Sequence, residues 1–178
     1  IYPNNHRMHY PIADNKLLTK ELLIKVGVKV PQTFVVYSYF YELRNLDRDL
    51  ALHSEFVIKP AKGSGGGGII VIAGKDGDQW ISVGGTRYSP QELRRHIGDI
   101  LFGIHSFGLS DQAIVEQRIR QHPAIERLSA GGLADVRIIL YNEVVIMSMI
   151  RLPTSISEGR ANLHQGAVGA GIDLKSGK

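Results

Sequence analysis

Residues 56–72, FVIKPAKGSGGGGIIVI, constrain this chain more than any other stretch. Two β-branched apolar runs flank a loop in which Gly63, Gly65, Gly66, Gly67 and Gly68 surround Ser64. Such residues fit the pleated surface of a sheet, so both flanks are predicted strands. Glycine loses more backbone entropy on folding than other residues, so a run this dense needs a reason. It gives positive φ angles and lets bare backbone approach a ligand closely. Successive free N–H groups in such a loop form a concave anion site. The stretch therefore reads as a strand–loop–strand flap over phosphate, with Lys59 rooted on the first strand. A flexible hairpin loop without a ligand is the alternative.

Gly63, Gly65 and Gly68 also satisfy G-x-G-x-x-G. A dinucleotide fold needs a helix after those glycines, and here a strand is predicted. A Walker A loop needs Lys-Ser/Thr after them, which is absent. Protein kinases have strand–loop–strand, but their lysine follows the loop, whereas Lys59 precedes it.

Other classes are narrowed by composition. The chain has no cysteine, which excludes a disulfide scaffold and thiolate chemistry. Its 178 residues suffice for a sizeable core, as one large domain or two small ones. No apolar run approaches a membrane span and no signal peptide opens the chain, so a cytoplasmic setting with no membrane partner is expected. The net charge of +4 suits anionic ligands such as nucleotides. No dense Lys/Arg block or aromatic ladder occurs, so no nucleic-acid partner is expected. The abrupt start and finish suggest a piece of something longer.

In chain order, residues 1–11 read as an extended lead-in and residues 13–26 as a helix. Asp14 is the expected N-cap, Leu17, Leu18, Leu22 and Leu23 form its apolar stripe, and Gly27 and Pro31 end it. Lys16 and Lys20 share one helix face and read first as solvated. Residues 33–37 are a predicted strand and 41–52 a predicted amphipathic helix. After the flap, residues 75–78 are a turn and 79–83 a strand. Ser89-Pro90-Gln91-Glu92 is a capping box that opens a helix to about Phe102. Residues 113–117 are a strand ending in Glu116 and Gln117, either surface residues or an acceptor and backbone groups for a ligand. A basic segment covers 118–127. Residues 135–150 read as a hairpin turning at Asn142-Glu143, with Asp135 and Arg137 on one strand face. Residues 155–171 are polar and glycine-rich. No Ser/His/Asp order suggests a nucleophile triad and no His/Cys spacing suggests zinc. His164 is the one histidine inside a dense polar motif.

Five pieces in this order resemble the ATP-grasp superfamily, most closely the α-L-glutamate ligase-like proteins related to ribosomal-protein glutamate ligases. They are Asp14-Asn15-Lys16 before a leucine-rich helix, Val57-Ile58-Lys59-Pro60 before the glycine flap, and the strand end Glu116-Gln117. Asp135-Val136-Arg137 opens the hairpin, and Arg160-Ala161-Asn162-Leu163-His164-Gln165-Gly166 follows it. The resemblance covers essentially the whole chain. It departs in two places. The family's metal-binding carboxylates, in an aspartate strand and a Glu-x-Asn motif, do not occur before Lys178. Gly166-Ala167 also stands where a Gly-Gly pair is usual.

The resemblance implies an α+β fold in which two lobes with antiparallel sheets clasp ATP, with the C-terminal part of the second lobe missing. Residues 1–31 would lead in, 32–107 would form the flap-bearing lobe, and 108–178 part of the second. The implied activity is ATP-dependent carboxylate–amine ligation through an acylphosphate, with glutamate-like amino-acid ligation the finer expectation. A nucleotide-binding module without ligase activity is the alternative. The expected cofactors are ATP and Mg2+, the metal's ligands lying beyond Lys178, which would leave this stretch inactive or nearly so as a ligase. Expected partners are the nucleotide and small carboxylate and amine substrates, or a peptide or protein terminus. Lys16, Lys59, Gly63, Ser64, Gly65, Gly66 and Gly67 would hold the phosphates. Glu116 and Gln117 would meet adenine or ribose, and Asp135 would bond ribose or hold a lysine. Arg137, Arg160 and Asn162 would serve catalysis, since positioning and charge neutralisation dominate phosphoryl transfer.

Overall fold

A computed structural model describes residues 4–129, 132–157 and 160–178. It divides into two compact units, Ile1–Ile119 and Arg120–Lys178.

The first unit opens with a 3-10 turn at Arg7–His9 and a short helix, α1 (Tyr10–Asp14). From Arg7 on, the expected extended lead-in is thus helical, and Pro11 occupies the first turn of α1, where its missing N–H costs nothing. Residues 1–3 of that expectation lie outside the described residues. Helix α2 (Lys16–Lys25) starts one residue after the expected cap. Asn15, not Asp14, is its N-cap and accepts the Leu17 N–H at 2.9 Å. Gly27 follows its C-terminus with φ +78°. Strand β1 (Thr33–Tyr37) lies where expected.

The predicted helix over 41–52 is split into a 3-10 segment, Phe40–Asn45, and α3 (Leu46–Leu50). Buried Leu43 and Leu46 are three apart, which suits 3-10 winding, whereas Leu46 and Leu50 are four apart, which suits α winding. The glycine loop connects β2 (Phe56–Pro60) to β3 (Ile70–Asp76), and β4 (Gln79–Ser82) and β5 (Arg87–Tyr88) follow. Helix α4 (Pro90–Leu101) and β6 (Ala113–Glu116) complete the unit.

All six strands form one antiparallel sheet in the order β1-β6-β2-β3-β4-β5. Alternation along β2 turns Phe56 and Ile58 into the core, each fully buried, and leaves Val57 and Lys59 half-buried on the other face. Leu93, Ile97 and Ile100 of α4 cover the core side, with Trp80 edge-on to Phe56 at 4.9 Å between ring centroids. Ser89 caps α4 by accepting the Glu92 N–H, while the Glu92 carboxylate accepts the Ser89 N–H at 2.8 Å. Ser89→Ala is expected to cost about 1 kcal/mol, read as a lower urea midpoint at unchanged m.

The second unit contains a single-turn helix, α5 (Pro123–Glu126), and the antiparallel sheet β7 (Asp135–Tyr141), β8 (Val144–Leu152) and β9 (Val168–Ile172). Asn142 and Glu143 both take positive φ, as the two central residues of a type I′ hairpin turn do. Strand β9 overlaps the end of the stretch read as merely polar and glycine-rich, where Gly169 and Gly171 mask the period-two signal.

The units divide after Ile119, whereas the division expected from sequence falls at 107–108. Strand β6 lies between the two positions. Its backbone pairs with β1 on one side and β2 on the other, so it belongs to the first sheet.

Candidate functional site

The first unit gathers three lysines around the end of β2. Glu116 ends β6, a strand buried on both faces. Its carboxylate holds two ammonium groups, Lys20 Nζ at 2.8 Å on Oε2 and Lys59 Nζ on Oε1. Lys20 also donates to Thr33 Oγ1 at 2.6 Å. The solvated reading of Lys20 fails: it is the buried residue of α2, because the β1 and β6 strand ends offer it a hydroxyl and a carboxylate. Register places Glu116 opposite Val57, two positions from the Lys59–Ile114 pair and on its face of the sheet, so adjacent strands bring acid and base together.

Lys16 stands one helical turn before Lys20, at the start of α2. Its backbone N–H donates to Ala61 O at 2.9 Å, and its Nζ donates to Gly63 O at 2.6 Å. It is therefore half-buried against the start of the glycine loop and not solvated. Burial, and then the Lys59 ammonium, lower its pKa from the ordinary lysine value, while Asp111 and Glu116 oppose the shift. Cations converging on one place are costly together, and an added anion relieves that repulsion.

The loop itself is pinned at both ends. At its start Lys62 N–H donates to both oxygens of Asp111, at 3.0 Å each, and Ser106 Oγ bonds the same carboxylate. At its end Gly68 O accepts from His96 Nε2 at 2.9 Å. Between these points Gly65, Gly66 and Gly68 take positive φ, and Ser64 and Gly65 are exposed. Gly67 N–H closes a turn on Ser64 O at 3.1 Å. Lys16, Lys59 and the loop residues Gly63, Ser64, Gly65, Gly66 and Gly67 thus share one corner of the sheet.

Each Glu116 oxygen accepts from one lysine, and the side chain is 5% exposed, so it holds the two cations in place. Gln117 is exposed, and its backbone N–H donates to Gln32 O at 2.8 Å.

The remaining candidates lie in the second unit. Asp135 and Arg137 do share a face of β7. Asp135 forms a two-pronged ion pair with Arg151, directly opposite on β8, with Nε to Oδ1 at 2.6 Å. The hydrogen bonds that Arg151 donates to that carboxylate, above all, raise its pKa. Arg137 is exposed, as is Arg160, whose backbone N–H donates to Ser157 O at 2.9 Å. Asn162 caps the 3-10 turn Leu163–Gln165, its Oδ1 accepting the His164 N–H at 3.1 Å.

Lys20, Asp111, His96 and Arg151 were not candidates from sequence. The four-residue spacing from Lys16 marks the position of Lys20 but not its burial, and the others carry no local signal. Among the described residues no three His, Asp or Glu side chains gather as a metal site. No described helix is long and apolar enough to cross a membrane. A family model described as sugar-transfer associated ATP-grasp matches residues 1–178. No curated protein matches the sequence.

Proposed function

We propose that this chain, which belongs to the sugar-transfer associated ATP-grasp family, binds ATP phosphates between its glycine loop and the pair Lys16 and Lys59. ATP-grasp domains are associated with ATP-dependent ligase-type chemistry and generally bind ATP and Mg2+. The motif resemblance to that superfamily holds, as does the α+β class with two antiparallel sheets. The observation that carries the phosphate assignment is the convergence of Lys16 and Lys59 at the foot of a loop rich in positive-φ glycines.

The finer reading is carboxylate–amine ligation. A carboxylate oxygen attacks the γ-phosphorus, the bond to the bridging oxygen breaks, and ADP leaves. The amine nitrogen then attacks the acyl carbon and phosphate leaves, with one proton released from the amine. This chain's part is to hold phosphate oxygens with compact cations and with N–H donors of the loop. Arg137 and Arg160 suit a transferring phosphoryl group because guanidinium binds two oxygens at once. Among the described residues no three His, Asp or Glu side chains gather to hold a metal. Glutamate-like donors remain the substrate class implied by the motifs. The family description makes an amine- or carboxylate-bearing sugar a second class to test.

Amide hydrogen exchange with and without a non-hydrolysable ATP analogue tests the phosphate site. Residues 64–67 are expected to gain protection, while the anchored ends 62 and 68 change less. Equal protection in both states would remove the flap assignment. ADP release in the presence of amino-acid and aminosugar panels separates ligase from simple binding module. Saturable ATP binding without turnover favours the module.

A further inference from the structure

The glycine loop has a second support that the phosphate assignment does not use. His96, on the fourth helix, reaches the loop's far end and places Nε2 2.9 Å from Gly68 O. A carbonyl can only accept, so Nε2 carries the hydrogen. Burial lowers the His96 pKa from the ordinary imidazole value, with the Gly68 carbonyl and Asp99 opposing and His105 reinforcing the shift. The neutral ring with its hydrogen on Nε2 meets that requirement.

His105 follows the same helix and lies under the same glycine. Its ring centroid is 5.6 Å from that of His96. A Cβ on Gly68 would stand 2.6 Å from His105 Cδ2 and 2.7 Å from Cγ, and a Cβ on Gly67 would stand 3.9 Å from His105 Nδ1. The φ of +74° at Gly68 disfavours a side chain as well. Residue 68 is thus seated on one imidazole and held by another. Leu93, Ile97, Ile100 and Leu101 of the helix are buried in the core, so His96 rests on a fixed base.

We infer that His96 is a positioning residue for the phosphate loop, fixing Gly68 from behind so that residues 64–67 are held in one arrangement against the nucleotide phosphates. The inference rests on the ATP reading above. It adds that the loop is preorganised at its far end by an uncharged hydrogen bond, independent of the lysines. A loop released there would bind the same phosphates after paying more ordering entropy.

Full-chain His96→Ala and His96→Gln decide it, because glutamine can restore an N–H donor. Amide exchange of residues 63–68 without nucleotide, ATP affinity by titration, and the urea midpoint are measured on each. His96→Ala is expected to exchange faster in the loop and to bind ATP about three- to tenfold more weakly. Its midpoint should stay close to wild type, and His96→Gln should recover both loop protection and affinity. Unchanged loop exchange in His96→Ala overturns the inference, as does faster exchange with unchanged affinity or failure of glutamine to rescue. If wild-type protein binds no ATP, the proposed function falls. The nucleotide-free exchange of the two variants then still decides whether His96 holds the loop.

Discussion

Glu116→Leu is expected to cost about 3–5 kcal/mol of folding stability, because it leaves buried ammonium groups facing each other without a counter-ion. Lys20 and Lys59 have side chains only 11% and 19% exposed, and Glu116 is the carboxylate between them. The cost of an unpaired buried charge greatly exceeds that of a lost surface pair, which is worth about 0–1 kcal/mol. Leucine keeps most of the volume, so the loss is electrostatic and not a cavity effect. Equilibrium urea unfolding measures it. The triple change Glu116→Leu, Lys20→Met, Lys59→Met should recover most of the loss, because a complete buried ion group can give way to apolar residues at little cost. A Glu116→Leu protein within 1 kcal/mol of wild type would mean that water reaches both lysines.

Lys59→Met is expected to keep the fold and to weaken ATP binding about ten- to a hundredfold, the worth of a charge-assisted contact of roughly 1.5–3 kcal/mol. The asymmetry with Glu116 follows from counting charges. Removing Lys59 leaves Glu116 paired with Lys20 at 2.8 Å, so no buried charge is orphaned. Methionine keeps most of the stem's apolar packing. An ammonium has three donors, so Lys59 can hold Glu116 and still face a phosphate oxygen. Titration of ATP into folded wild-type and Lys59→Met protein checks it. Equal affinities would make Lys59 solely the partner of Glu116 and would withdraw it from the phosphate site.

Local chemistry was legible in the sequence, and long-range pairing was not. Alternation along 56–60 foretells which face of β2 carries Lys59, and Phe56 and Ile58 are fully buried on the other. Thr33–Tyr37, the Ser89 capping box and the Asn142-Glu143 turn also lie where local signals put them. Lys20 shows the opposite case. Its helix position is plain, but its burial depends on a carboxylate 96 residues away. Separations of 49 and 28 residues likewise hide the Asp111 bond to Lys62 and the reach of His96 to Gly68, since no periodicity connects those positions. Propensity also failed where buried leucines three apart replaced α winding by a 3-10 turn over Phe40–Asn45.

The placement of β6 between β1 and β2 has a consequence for the order in which the chain can become structured during synthesis. β1 is an edge strand whose one neighbour in the sheet is β6. Until residue 116 has left the ribosome, β1 has no strand to pair with, and Lys20 has no counter-ion. The hairpin of β2 and β3 can close early, because its strands are joined by the glycine loop alone, whereas the β1–β6 ladder must first close a much longer chain segment. The nascent chain therefore carries an unpaired β1 through most of the unit's synthesis, and insertion of β6 is the event that joins the two halves of the sheet and assembles the lysine cluster in one step.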